Sequence, residues 1–168
     1  MKKMLVVYYS WSAGNTERVA RQLARTCDAD VERIETVERY PDDYQTTVDQ
    51  AKREINSGYE PEIDPLVHDP SDYDVIVVGT PVWWYTMAPA IKTFLSQTDF
   101  SGKTVVAFST SGGWPGTTIE DIERSCKGAT FLPSIEVGSE GMEGSRQKTL
   151  RREIDSWIEG IREFLRTQ

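Results

Sequence analysis

The chain has 168 residues, 27% charged and 38% hydrophobic, with a formal net charge of −8. That size suits one domain with a sizeable core, read here as spanning residues 1–168. The acidic balance argues against nucleic acid or an anionic lipid surface as partner; it would steer basic protein partners towards the chain, or serve solubility alone, and charge by itself favours the latter. No apolar run nears the ~20 residues of a membrane span, and Met-Lys-Lys leads straight into an apolar strand, so a cytoplasmic location is expected.

The elements alternate along the chain. Residues 3–9 read as a first strand, and Val19, Ala20, Leu23, Ala24 and Cys27 recur at helical spacing over 16–27. Residues 30–37 alternate and read as an edge strand. Segment 39–70 is polar and rich in proline, with a helix around 46–57. Residues 73–79 form a continuous apolar run, as a central parallel strand does. Ala90, Ile91, Phe94 and Leu95 mark a helix, 104–108 a fourth strand, and Ile119, Ile122 and Cys126 a short helix. Residues 130–137 read as the fifth strand. Leu150, Ile154, Trp157, Ile158, Ile161 and Leu165 line a long C-terminal helix. Five β–α units predict a doubly wound, open, parallel five-stranded α/β sheet with helices on both faces. Its order is 2-1-3-4-5, because the most apolar strands belong at the centre.

Ligands of such sheets bind beyond the carboxyl ends of the strands. Three loops converge there. Ser10-Trp11-Ser12-Ala13-Gly14-Asn15-Thr16 joins the first strand to the first helix. A Gly- and hydroxyl-rich turn at a helix N-terminus suits a phosphate, held here by neutral donors because the loop has no Lys or Arg. The second loop carries Pro81, Val82, Trp83, Trp84 and Tyr85. The third carries Ser111, Gly112, Gly113, Trp114 and Gly116. Aromatic side chains beside Gly-rich backbone suit a flat ring with polar edges. A phosphate at one end and a planar heterocycle at the other describe a mononucleotide. A plain β–α turn, aromatic packing over the sheet end and an ordinary flexible loop are the bland alternatives for the three segments.

Other chemistries are poorly matched. There is no G-x-x-x-x-G-K-[ST], no G-x-G-x-x-G and no G-x-S-x-G elbow. The acidic positions of a phosphoacceptor domain hold Ser10, Trp11 and Gly79. Cys27 and Cys126 form no C-x-x-C and read as buried apolar residues. His68 reads as a solvated loop residue, so no metal site and no catalytic residue is assigned. Any chemistry would then rest on a cofactor.

The stretches YYSWSAGNTERVA, GTPVWWYTMAPAIKTFL and FSGKTVVAFSTSGG together resemble the flavodoxin family over nearly the whole chain. The resemblance implies the flavodoxin-like fold, noncovalent FMN, and electron transfer between redox partner proteins. By position, Ser10, Trp11, Ser12, Ala13, Gly14, Asn15 and Thr16 correspond to the phosphate loop. Pro81–Tyr85 and Ser111–Gly116 correspond to the two loops around the isoalloxazine ring. Two departures stand out. Ala13 makes the phosphate loop one residue longer than [ST]-x-[ST]-G-N-T. Flavodoxins also often place a glycine beside the flavin N5, where a peptide flip supports the semiquinone. No Gly occurs between Thr80 and Pro89, and positive φ is costly for bulky residues, so the resemblance does not extend to that device. An NAD(P)H-dependent flavin or quinone reductase on the same scaffold is the alternative function, and a Trp-rich binding module without redox chemistry is a third.

Overall fold

A computed structural model describes residues 2–11, 14–138 and 147–168, the side chains of 147–150 excepted. The expectations for Ser12, Ala13 and the Leu150 side chain lie outside the described residues.

Three strands carry the architecture. β1 (Met4–Tyr8), β3 (Val75–Trp83) and β5 (Thr104–Ser111) pair in parallel, Leu5 opposite Ile76 and Ile76 opposite Val105. Their apolar runs are buried on both faces, as a central parallel sheet requires. β2 (Asp30–Arg33) adds to the free side of β1. The sheet order is β2-β1-β3-β5-β6, with β6 at Thr130–Phe131; β4 (Thr86–Met87) and β7 (Ile135–Gly138) pair to β3 and β5.

Among the described residues the expected five strands become seven, for two reasons. The fifth strand splits into β6 (Thr130–Phe131) and β7 (Ile135–Gly138), both parallel to β5. Pro133 between them has no N–H to give the ladder, and the register slips by one residue across it: Phe131 faces Val105, whereas Ile135 faces Phe108. In addition, β3 runs on past Gly79 and turns back into β4 (Thr86–Met87) as an antiparallel hairpin. The second half of the expected edge strand leaves the sheet. Thr36 instead forms an antiparallel bridge to Ile63, with Val37 N–H donating to Glu62 O at 2.9 Å.

Side chains alternate between the two faces of the sheet. On one face Val6, Tyr8, Val77, Val106 and Phe108 pack against α1 (Asn15–Cys27) and α5 (Gln147–Thr167), through Val19, Leu23, Ile158, Ile161 and Leu165. On the other, Leu5, Val7, Ile76, Val78 and Val105 meet α3 (Pro89–Ser96) and α4 (Thr118–Ser125), through Ile91, Phe94, Leu95 and Ile122. Phe94 is fully buried; burial of such a side chain stabilises by ~1.5–3 kcal/mol. Pro89 opens α3, where its fixed φ suits the first helical turn. α2 (Tyr44–Ser57) lies beside α3 and is capped by Asp43, whose carboxylate accepts from Thr46 N–H at 2.8 Å.

One polar residue, His68, departs from the sequence reading, and its partner Glu32 is the reason. Glu32 is buried, because it accepts the backbone N–H groups of Val67 and His68 and the His68 ring at Nδ1 (2.9 Å). His68 is therefore a tethered residue rather than a solvated one. Cys126 is buried and Cys27 half-buried, and burial raises their thiols to about 12 and about 11 respectively.

Candidate functional site at the carboxyl edge of the sheet

The carboxyl ends of β1, β3 and β5 open into a cleft of about 530 Å³. Its first wall is the start of α1. Gly14 is the N-cap in the left-handed region (φ 75), and among the described residues no side chain caps this helix. Asn15 is not the cap; its Oδ1 accepts from Arg18 at 2.8 Å. Ser10, Gly14, Asn15 and Thr16 line this end of the cleft, with Trp11 beside them. The buried Thr16 hydroxyl shares a 2.7 Å hydrogen bond with Thr110 at the end of β5, so α1 is pinned to the sheet where the cleft begins. An uncapped helix start with adjacent hydroxyls is a ready place for an anion.

The second wall is the β3–β4 hairpin. Pro81, Val82 and Trp83 are strand residues rather than loop residues, and Trp84 and Tyr85 form the two-residue turn. Both turn residues have positive φ, 50° and 68°. This is the geometry that hairpins usually fill with Asn-Gly. For bulky residues it costs about 1–2 kcal/mol each, and it was not expected where no glycine is present. Contacts from both sides hold it. Trp84 Nε1 donates to Val48 O of α2 at 2.9 Å, with the Lys52 ammonium 5.1 Å over the same ring. Thr117 N–H donates to Tyr85 O at 2.9 Å. Gly116 (φ 59) lies against this turn: a Cβ there would sit 2.1 Å from Tyr85 O.

Ser111, Gly112 and Trp114 complete the cleft from the end of β5 and the loop after it. Gly113 and Gly116 do not line it; Gly116 works behind the hairpin. The chemistry-poor segment 39–70 supplies a wall that the sequence did not announce. Tyr44, Thr47, Val48 and Ala51 of α2 close the cleft opposite the sheet, and the Tyr44 ring tilts against Trp11 at 6.3 Å. Their i, i+3, i+4, i+7 spacing is the one signal that could have marked this face. Behind Trp83, Tyr9 and Tyr40 make edge-to-face contacts at 5.6 and 5.1 Å.

None of the described residues lining the cleft carries a charge. An ionic cluster lies behind the first loop. Arg33 pairs with Glu17 (2.9 Å) and Glu35 and donates to Ser10 O (3.0 Å). The Tyr8 hydroxyl donates to Glu17 at 2.7 Å and holds that carboxyl below the usual carboxylate range, with help from Arg33 and Arg21. Among the described residues no group of acidic, His and Cys side chains is placed to hold a metal ion.

The fold and cleft define a doubly wound α/β protein with an open cleft at the carboxyl edge of the sheet, where such folds bind their ligands. A flavodoxin family model matches residues 3–161, and the chain belongs to the flavodoxin family, whose cofactor is FMN. It is similar to the flavoprotein of Lactobacillus acidophilus NCFM in complex with FMN: 27% identity, TM-score 0.71, covering 90% of this chain and 99% of that one. The apo form of that flavoprotein, by NMR, gives 29% identity and a TM-score of 0.62, covering 83% and 95%. An NADH:FMN oxidoreductase in its apo form shares the fold at 15% identity and a TM-score of 0.61, covering 96% and 89%. No helix among the described residues is long and apolar enough to cross a membrane.

Proposed function

We propose that this chain holds FMN in the cleft and carries electrons between redox partner proteins. The observation that carries the reading is the division of an uncharged cleft into two ends. Hydroxyls and an uncapped helix start form one end, aromatic side chains and Gly-rich backbone the other. The phosphate would meet Ser10, Asn15, Thr16 and the backbone of Gly14, and the ring would lie between the Trp83–Tyr85 hairpin and the Ser111–Trp114 loop. FMN, when bound, supplies the group that accepts and releases electrons. The protein's part is to hold, orient and partly shield it. A net charge of −8 favours partners with basic docking surfaces.

The test is titration of the apo-protein with FMN and with riboflavin, read by flavin fluorescence. FMN is expected to bind at micromolar concentration or tighter, and riboflavin, lacking the phosphate, much more weakly. Equal affinities would remove the phosphate assignment, and no binding of either would remove the function.

A second reading, an NAD(P)H-dependent flavin or quinone reductase, is favoured by the exposed rings of Tyr44, Trp84, Tyr85 and Trp114 around the mouth, which could stack on a second planar molecule. Anaerobic addition of NADPH, then NADH, to the FMN-loaded protein separates the two. Rapid bleaching near 450 nm marks a reductase. A spectrum that bleaches only after a separate reductase is added marks a carrier.

A further inference from the structure

Asp121 touches none of the cleft. It sits in the first turn of α4 and faces a separate groove behind the hairpin, with Tyr59, Thr86 and Arg124. Its Oδ2 accepts two hydroxyl hydrogen bonds, from Thr86 Oγ1 at 2.6 Å and from Thr117 Oγ1 at 2.8 Å. Each partner leads to the strained turn. Thr86 is the β4 residue opposite Trp83, so it is the foot of the hairpin. Thr117 is the residue whose N–H holds Tyr85 O. One carboxylate oxygen thus ties together the two segments that wall the aromatic end of the cleft.

We infer that Asp121 is a positioning residue: it holds Trp84 and Tyr85 in their left-handed geometry from behind, and through them sets the affinity and redox potential of the cofactor. The inference rests on the FMN reading above. A two-residue turn of Trp and Tyr has no intrinsic preference for this conformation, so external contacts must impose it. On the α2 side that contact is Trp84 Nε1 to Val48 O; on the α4 side it is the Asp121 pair. Hydrogen bonds to a charged group are the stronger kind, and both hydroxyls here donate to one carboxylate.

The experiment compares Asp121→Ala, Asp121→Asn and Glu120→Ala. The last removes the same charge from the same helical turn without touching the hairpin. The first readout is amide exchange of Thr117 in the FMN-free protein, because that N–H is the bond to Tyr85 O. The second is FMN affinity, and the third the midpoint potential of the bound flavin. Asp121→Ala is expected to speed Thr117 exchange and weaken FMN by about tenfold or more each and to move the potential, with β1 amides still protected. Asp121→Asn keeps an oxygen for both hydroxyls but loses the charge, so it should fall between wild type and Asp121→Ala, while Glu120→Ala should stay within about threefold of wild type. Thr117 exchange and FMN affinity in Asp121→Ala within about twofold of wild type would overturn the proposal. Should Asp121→Ala fail to fold, Thr86→Val and Thr117→Val take its place. Their effects on FMN affinity must be non-additive if one carboxylate serves both, and additive effects would overturn it. If the wild type binds no FMN, the functional reading fails, while Thr117 exchange in the apo-protein still decides whether Asp121 holds the turn.

Discussion

The Arg33 guanidinium donates through Nη2 to the backbone carbonyl of Ser10 at 3.0 Å, bracing the first cleft loop from behind. The same side chain holds Glu17 and Glu35 and lies over the Tyr8 ring. Sequence reading found no cation within residues 10–16, and the structure adds one that acts on the loop's backbone from the end of β2. Arg33→Ala should weaken FMN binding by roughly 0.5–1.5 kcal/mol, several-fold in affinity. Flavin fluorescence titration of the variant checks this; an unchanged affinity means that the loop holds its shape without the brace.

The Glu17 carboxyl gives a pH dependence with a defined sign. The Tyr8 hydroxyl, then Arg33 and Arg21, hold its folded value below the ordinary one. Its contribution to stability is therefore present above the ordinary glutamate range and is lost as pH falls through the lower folded value. Glu17→Gln should flatten the acid limb of the stability curve and leave the curve above pH ~6 parallel to wild type. Urea denaturation at several pH values measures it.

Gly116→Ala places a Cβ 2.1 Å from Tyr85 O, against backbone that cannot swing away. We expect a lower Tm and weaker FMN binding. Gly113→Ala is the matched control: its φ of 128° is also strained, but among the described residues no atom beyond its chain neighbours lies within 4 Å of the added carbon. A larger loss at Gly113 than at Gly116 would show that backbone strain, not the contact with Tyr85, dominates this loop.

Much of the architecture was legible because apolar runs and helical spacing survive into the structure. Val75–Val78 and Val105–Phe108 are buried as read, and Leu23 and Ile122 face the sheet. What escaped has physical causes. The β3–β4 hairpin is invisible because Trp84-Tyr85 is not a turn dipeptide; only contacts from distant residues make it turn. Tyr44 and Thr47 belong to a modestly apolar helix whose buried stripe is narrow, so its role as a wall depends on where α2 is laid down. His68 reads as a solvated loop residue because its tether to Glu32, which also accepts the backbone N–H groups of Val67 and His68, joins positions far apart in the chain. Ser10, Asn15 and Thr16 were legible as a group because one short segment carries them all.

The turn also predicts a trade between stability and binding. Tyr85→Gly gives the second turn position the residue that its φ of 68° favours. The apo-protein should gain up to about 1 kcal/mol, the relief of strain less the entropy glycine adds to the unfolded chain. FMN affinity should fall, because an aromatic wall is lost. Thermal melts and titrations of one sample test both halves.

Ser109 offers a test of core packing apart from the cleft. Its hydroxyl is fully buried and has no hydrogen-bond partner among the described residues. Ser109→Ala removes an unsatisfied group and should raise stability by about 1 kcal/mol with FMN affinity unchanged. A loss of stability would mean that the hydroxyl is satisfied in solution.

The uncharged lining of the cleft has a consequence for how an anion arrives. A phosphate approaching this molecule meets no opposing cation among the described cleft residues, only the long-range repulsion of a body with net charge −8. Salt shortens the reach of that field, to about 10 Å at 0.1 M, without screening away an attractive contact in the cleft. Association with FMN should therefore quicken as ionic strength rises, opposite in sign to a lysine-lined phosphate site. Docking of a basic redox partner on the same acidic surface should slow. One variable, salt, would then drive cofactor loading and partner encounter in opposite directions.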